Sequence, residues 1–374
     1  MCCAGWQGEV LCSVYTLLPF FHFKLGILNF YLNSYQKFTI SFGGVMVDIS
    51  MGYLGLMLRS PVVASSSPLC RNIDNIKMME DAGVGAVVLP SLFEEQIQKE
   101  QLLLNSGLTQ GTEHFAEALS YLPDVGSYNF DSTNYLDLIR KAKRAVNIPV
   151  IGNLNGKSVG GWVGFSKEIE QAGADALELN IYDMPSDPEV TSVQIEENYI
   201  YLVKEIIKSV SIPVSVKIAP FFSSIPNFIK NIKEAGASGV VIFNRFYQPD
   251  IDLDNLDIKP VLHLSSSDEL LLRIRWAGML FGKIDIDIAI TGGVHTLEDI
   301  LKCIASGAKV SMSTSAILNK GISYIGELVE GIKLWLESHG YLSLSALHGV
   351  MSQRSVENPE AFERANYMRV LGSV

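Results

Sequence analysis

Cysteine is scarce and scattered: the 374 residues hold five, Cys2, Cys3, Cys12, Cys70 and Cys303. No CxxC pair occurs, nor the paired spacing of a zinc site or disulfide framework, so the chain reads as one of reduced thiols. Basic residues are outnumbered, 29 Lys and Arg against 40 Asp and Glu, which sets the net charge at -11 and excludes an electrostatic grip on nucleic acid or an anionic membrane. Long apolar runs are missing too. The stretch 10–23 falls short of the ~20 residues that span a bilayer, and Lys24 follows it where an export signal would carry its charge in front. The six histidines, His22, His114, His263, His295, His339 and His348, show no metal-ligand spacing.

What is present is enough apolar sequence, 48% of residues, to bury one barrel-sized core or two ordinary ones. The composition breaks near Met46. Upstream lie three of the five cysteines and only three charged side chains, Glu9, Lys24 and Lys37. Residues 1–45 are therefore expected to be an extension outside the functional fold, with 46–340 the fold itself and 341–374 a tail packed on its outside. A cytoplasmic location fits the reduced thiols.

Past Met46 the chain repeats itself. A proline-led apolar run recurs at Pro61, Pro149 and Pro213, with a proline-less counterpart near Asp285; the intervals are 88, 64 and 72 residues. A second marker, a glycine closing a helix just before an apolar run, recurs at Gly83, Gly173, Gly236 and Gly307, at intervals of 90, 63 and 71. Two independent markers thus move together. Each marker opens a repeat of two strands and two amphipathic helices, so four repeats give eight alternating units and an α/β fold, a (β/α)8 TIM barrel. An open doubly wound sheet also alternates, but no GxGxxG follows the first strand. Excess length places insertions after strands 2 and 6, over residues 92–131 and 247–267.

Barrel enzymes build their sites at the strand C-terminal ends. Those ends are Ser65-Ser66-Ser67, Pro90-Ser91, Asn153-Leu154-Asn155-Gly156, Asn180-Ile181-Tyr182-Asp183, Lys217, Asn244-Arg245, Thr291-Gly292-Gly293 and Ser313-Thr314-Ser315. The last two end strands 7 and 8, where barrels commonly hold a phosphate on backbone N–H groups, although plain strand-to-helix turns capped by Thr296 or Ser315 would look alike. Lys217 stands mid-run in an apolar strand and needs an anionic or electron-rich partner there. It could form an imine, or be a fixed charge beside a cofactor that turns negative in turnover; snorkelling to solvent is the bland alternative. Asp183 could serve as a general base or only hold a loop. Arg245 offers a fork to a substrate carboxylate or pairs with Asp250 or Asp252.

The segment 46–67, the stretch from Gly173 to Asn180, the strand ending in Lys217 and Thr291-Gly292-Gly293 together resemble class 1 dihydroorotate dehydrogenase, and more closely its dihydroorotate-dehydrogenase-like branch, over about residues 46–345. The resemblance implies FMN in the barrel, with phosphate contacts at Gly292, Gly293, Thr314 and Ser315 and ring contacts at Ser66, Asn180 and Lys217. It implies oxidation of dihydroorotate or a related dihydropyrimidine in pyrimidine biosynthesis. Its Asn-Leu-Ser-Cys-Pro-Asn loop reads Asn180-Ile181-Tyr182-Asp183-Met184-Pro185 here, so the base falls on Asp183 and an orotate-holding asparagine becomes Pro185. A lysine expected at the end of strand 2 is Pro90, and the glycine-rich turn after strand 6 is replaced near Ser265-Ser266-Ser267. Asn129, Asn244 and Arg245 are then the candidate substrate contacts.

The expected partners are a small-molecule substrate and an electron acceptor or redox partner, with a homodimer left open. No cysteine cluster for an iron–sulfur centre occurs, so any relay has to lie on a partner or a soluble acceptor. Two other functions compete: a non-catalytic flavin-binding subunit of a redox complex, and a Schiff-base barrel lyase using Lys217.

Overall fold

The computed structural model describes residues 47–96, 132–156, 162–246, 248–259, 261–364 and 366–373. Three expectations fall outside these residues: the extension 1–45, most of the first insertion, and Asn129.

The chain enters through an antiparallel hairpin, β1 (Met51–Tyr53) and β2 (Leu56–Leu58), turning at Leu54 and Gly55, both at positive φ. Eight parallel strands follow: β3 (Val62–Ala64), β4 (Ala86–Val88), β6 (Val150–Asn155), β7 (Ala176–Asn180), β8 (Val214–Ile218), β9 (Gly239–Ile242), β12 (Asp287–Thr291) and β13 (Val310–Ser313). Each pairs with the next, β13 returns to β3, and β4 pairs with β6, so the eight close into a barrel. Every strand that the repeat predicts is present. Two-residue β5 (Leu92–Phe93) opens the first insertion and adds to β6 beyond the reach of β4. In the second insertion β10 (Asp250–Asp252) and β11 (Asp257–Lys259) form a separate antiparallel ribbon.

The strands are almost continuously buried, as parallel strands covered on both faces must be. Outward side chains meet the helices; Ile76, Ile139, Ile206, Phe228, Ile232 and Ile304 belong to this larger core. Inward side chains make a smaller one from Val63, Ala86, Val88, Ile151, Ala176, Val241, Ala289, Val310 and Met312. Tyr53, Leu54 and Leu58 join that inner cluster, so the entry hairpin stoppers the N-terminal end of the barrel. The Leu54 N–H donates to Asp287 Oδ2 at 2.7 Å, where β12 begins.

Helix boundaries follow the chain's own caps. Thr296 and Asp299 form a reciprocal capping box on the helix Leu297–Ser306, and Gly307 closes it at φ 115°. Past the helix Tyr324–Ser338, the tail crosses two outer helices. Gly349 N–H donates to Ile304 O, Met351 N–H to Ala305 O and Gln353 N–H to Gly278 O. Asp48 bridges to Ser343, tying the described start of the chain to this tail.

Candidate active site

A cavity of about 520 Å³ opens at the C-terminal mouth of the barrel, opposite the hairpin. That volume lies within the range of small-molecule and cofactor sites. Of the residues singled out in the sequence, Ser66, Asn180, Lys217, Asn244, Arg245, Gly292, Gly293, Thr314 and Ser315 all line it. Six strand ends thus converge on one space, although these residues span 250 positions of chain.

One wall is the glycine turn after β12. Gly292 and Gly293 both sit at φ 83°, and a Cβ on Gly293 would lie 2.5 Å from the backbone nitrogen of Leu270. A Cβ on Gly292 would meet the Arg273 guanidinium at 2.7 Å. Arg273 Nε donates to the Thr291 carbonyl at 2.5 Å, so a buried cation braces the turn from behind. The Ser315 hydroxyl accepts from Ser265 N–H at 3.2 Å and from Ser265 Oγ at 3.0 Å, while Ser265 Oγ is also 3.0 Å from His295 Nε2. Ser265, in the neighbourhood where the glycine-rich turn was expected, thus lines the cavity and ties Ser315 to His295. Ser315 is not a helix cap; it is the first residue of the helix Ser315–Lys320, whose N-cap, Thr314, makes no side-chain capping bond.

The floor carries the charge. Strand alternation and register stack two polar layers on β6, β7 and β8: Asn153, Glu178 and Ser215 below, Asn155, Asn180 and Lys217 above. Lys217 Nζ lies 3.4 Å from Glu178 Oε1, with the lysine side chain 10% exposed and the glutamate fully buried. Asn153 Nδ2 donates to the same oxygen at 2.7 Å. The partner that Lys217 required is Glu178, which the sequence reading passed over. The signal was there: Glu178 interrupts an apolar strand just as Lys217 does, two residues before Asn180 and hence on the same face.

Above the floor, Asn244 Nδ2 donates to Asn180 Oδ1 at 2.6 Å and to the Ile181 carbonyl at 3.2 Å, joining the ends of β7 and β9. Tyr182 stacks on Phe246 with ring centroids 4.5 Å apart. Arg245 pairs with Glu269, Nε to Oε2 at 3.0 Å, and donates to the His263 carbonyl. Asp250 and Asp252 are not its partners, because their ribbon is exposed and Glu269 opens the helix that faces the arginine. Asp183 is not among the cavity-lining residues. It sits beside Tyr182, and its Oδ2 accepts from the Tyr199 hydroxyl at 3.0 Å. Burial, and after it the Asp183 charge, raises the Tyr199 pKa, so the phenol stays protonated and keeps donating.

Among the described residues no helix is long and apolar enough to cross a membrane, and no group of His, Cys, Asp or Glu is placed to hold a metal ion.

Comparison with known proteins adds a family to this geometry. Residues 115–336 match the family described as Dihydroorotate dehydrogenase. The chain is 25% identical over 319 residues to the Dihydroorotate dehydrogenase B (NAD(+)), catalytic subunit, of Thermoplasma acidophilum, covering 82% of this chain and 99% of that one. To the Pyrococcus furiosus protein of the same name it is 24% identical over 314 residues, covering 81% and 99%. A protein of Aeropyrum pernix provisionally named dihydroorotate dehydrogenase A (fumarate) is 24% identical over 316 residues, covering 81% and 97%. With a closed barrel, a glycine turn at strand 7 and a lysine at the end of strand 5, the chain belongs to the dihydroorotate dehydrogenase family.

Proposed function

We propose that the protein is an FMN-dependent oxidoreductase that oxidises dihydroorotate or a closely related dihydropyrimidine. The observation that carries this reading is one cavity walled by the positive-φ turn Gly292-Gly293 and floored by the buried Lys217. The turn suits a phosphate: glycines let backbone N–H groups approach closely, and Thr314 and Ser315 supply hydroxyls opposite. The floor suits a flavin ring edge, since a lysine held in a low-dielectric site favours negative charge above it. Bound there, FMN would supply the hydride acceptor at its N5.

The chain's residues supply the rest. Ser66, Asn180 and Lys217 orient the ring. Asn244 and Arg245 stand on the substrate side, where the guanidinium, already aimed by Glu269, faces a substrate carboxylate. Asp183, next to the cavity-lining Tyr182, would take the proton from one ring carbon of the dihydropyrimidine, the hydride leaving the neighbouring carbon for the bound FMN. Tyr199 holds the carboxylate in place meanwhile. The relatives' names point to NAD(+) for two and fumarate for the third, so the acceptor for this chain lies between a partner-mediated and a soluble route.

Purified protein is expected to be yellow and to release FMN on denaturation. Anaerobic mixing with dihydroorotate, dihydrouracil and dihydrothymine, followed at the flavin's visible maximum, then reads the substrate by which one bleaches it. Colourless protein that FMN cannot reconstitute would overturn the proposal. Bound FMN that none of the three bleaches would instead favour a non-catalytic flavin subunit, and borohydride trapping of a carbonyl compound on Lys217 would favour a lyase.

A further inference from the structure

The Lys217–Glu178 pair is poorly made for an ion pair that exists only to stabilise a core. A buried pair repays its desolvation only with close geometry and further hydrogen bonds. Here the nitrogen and oxygen stand 3.4 Å apart, and the shorter contact to Glu178 comes from Asn153 at 2.7 Å. Glu178 Oε2 is buried without a hydrogen-bond partner, as is Asn153 Oδ1. Beneath, the Tyr53 hydroxyl is wholly buried, its pKa pushed well up by burial and then by the Glu178 charge. The carboxylate is thus fixed from the side by a neutral amide, while Lys217 stands above it and reaches the cavity that Glu178 does not line.

We infer that Glu178 is a positioning residue and counter-charge for Lys217, setting how strongly that lysine favours a reduced, anionic flavin. This rests on the FMN reading above. Glu178 holds the ammonium down at the cavity floor, 3.4 Å from its Oε1, and so keeps it from reaching toward the ring, holding the flavin's reduction potential below what an untethered lysine would impose. Asn153 keeps the carboxylate in the lower layer, so it does not follow the lysine toward the ring.

The test is the two-electron midpoint potential of FMN bound to the whole chain at pH 7, with the affinity of the flavin–sulfite adduct as a second readout. Glu178→Gln keeps shape and removes charge. It is expected to retain FMN, raise the potential by about 30 mV or more, which is tenfold in the equilibrium constant, and tighten the sulfite adduct about tenfold. Glu178→Asp, which keeps the charge, is expected to stay within about threefold of the unaltered protein in both readouts. A smaller rise, no change or a fall with Glu178→Gln would overturn the inference, and so would an equal shift with Glu178→Asp, since a packing defect moves both. In a Lys217→Gln background, adding Glu178→Gln should change neither readout. The double variant has no uncompensated buried charge, whereas its reference, Lys217→Gln, leaves the Glu178 carboxylate unpaired; a tenfold difference between the two would show Glu178 acting on the flavin directly and would overturn its action through Lys217. Failure of the flavin reading looks different: unaltered protein would then bind no FMN at all.

Discussion

At Asp183 two demands meet, because a general base must both reach the substrate and be held in line with the proton it takes. Its carboxylate is held by the Tyr199 hydroxyl at 3.0 Å, one residue beyond the cavity-lining Tyr182. If Asp183 is the base, Asp183→Asn should lower kcat about 10²-fold or more, whereas Tyr199→Phe, which loses only the hold on that carboxylate, should cost less. Stopped-flow reduction of the flavin checks both, and unchanged reduction in Asp183→Asn would reassign the residue to loop structure. The residues legible in advance were those whose type clashes with their surroundings, such as a lysine inside an apolar strand. Arg273 and Glu269 were not, since on a helix a charged residue is ordinarily solvent-facing, and only the fold shows Arg273 turned inward beneath Thr291. Cys70 and Cys303 are both buried, and that burial disfavours their thiolates, lifting the Cys70 thiol to about 11 and raising Cys303 as well.

Among the elements, the strand-to-helix turn after β12 has little room for a side chain. Gly293→Ala would place a Cβ at positive φ and 2.5 Å from the Leu270 backbone, which cannot move as a side-chain tip can. The left-handed strain alone costs ~1–2 kcal/mol. Gly55→Ala is the control, at φ 74° with nothing within 4 Å of its would-be Cβ. Both variants should lose stability to urea, but only Gly293→Ala should weaken FMN binding, by about tenfold or more in a fluorescence titration; equal losses would remove the turn's role in binding. Strands and helices were readable because the repeat is punctuated, by Pro61, Pro149 and Pro213 before strands and by Gly83, Gly173, Gly236 and Gly307 after helices. The β10–β11 ribbon was not, since its short acidic segments look like loop and owe their pairing to the register Asp250 to Lys259.

Over the whole molecule, closure is secured at the bottom by the entry hairpin and outside by the tail. His348 sits in that tail, its Nε2–H donating to the Gly307 carbonyl at 3.0 Å and its ring lying edge-on to Phe281 at 5.0 Å. Burial first, and then the nearby Lys309 charge, lowers its pKa to about 4. A histidine depressed in the fold and near 6.5 when unfolded binds more protons unfolded between those values. Its contribution is therefore complete above pH 6.5 and lost as pH falls toward 4. At pH 5 the loss amounts to about 2 kcal/mol. Urea midpoints at pH 7 and pH 5 should fall further for the unaltered protein than for His348→Gln, and an equal fall would show that the tail is not coupled to barrel stability.

Chain order, periodicity and punctuation sufficed for the eight alternating units, because alternation, spacing and closing glycines are local properties that each segment expresses without its neighbours. They also indicated which strand ends would face the mouth, since strand direction fixes that. Which of those ends touch was a matter for closure alone. Barrel stagger sets Glu178 beneath Lys217, joins Asn180 to Asn244 and turns Arg245 to Glu269, contacts made across 39, 64 and 24 residues of chain that no local pattern encodes.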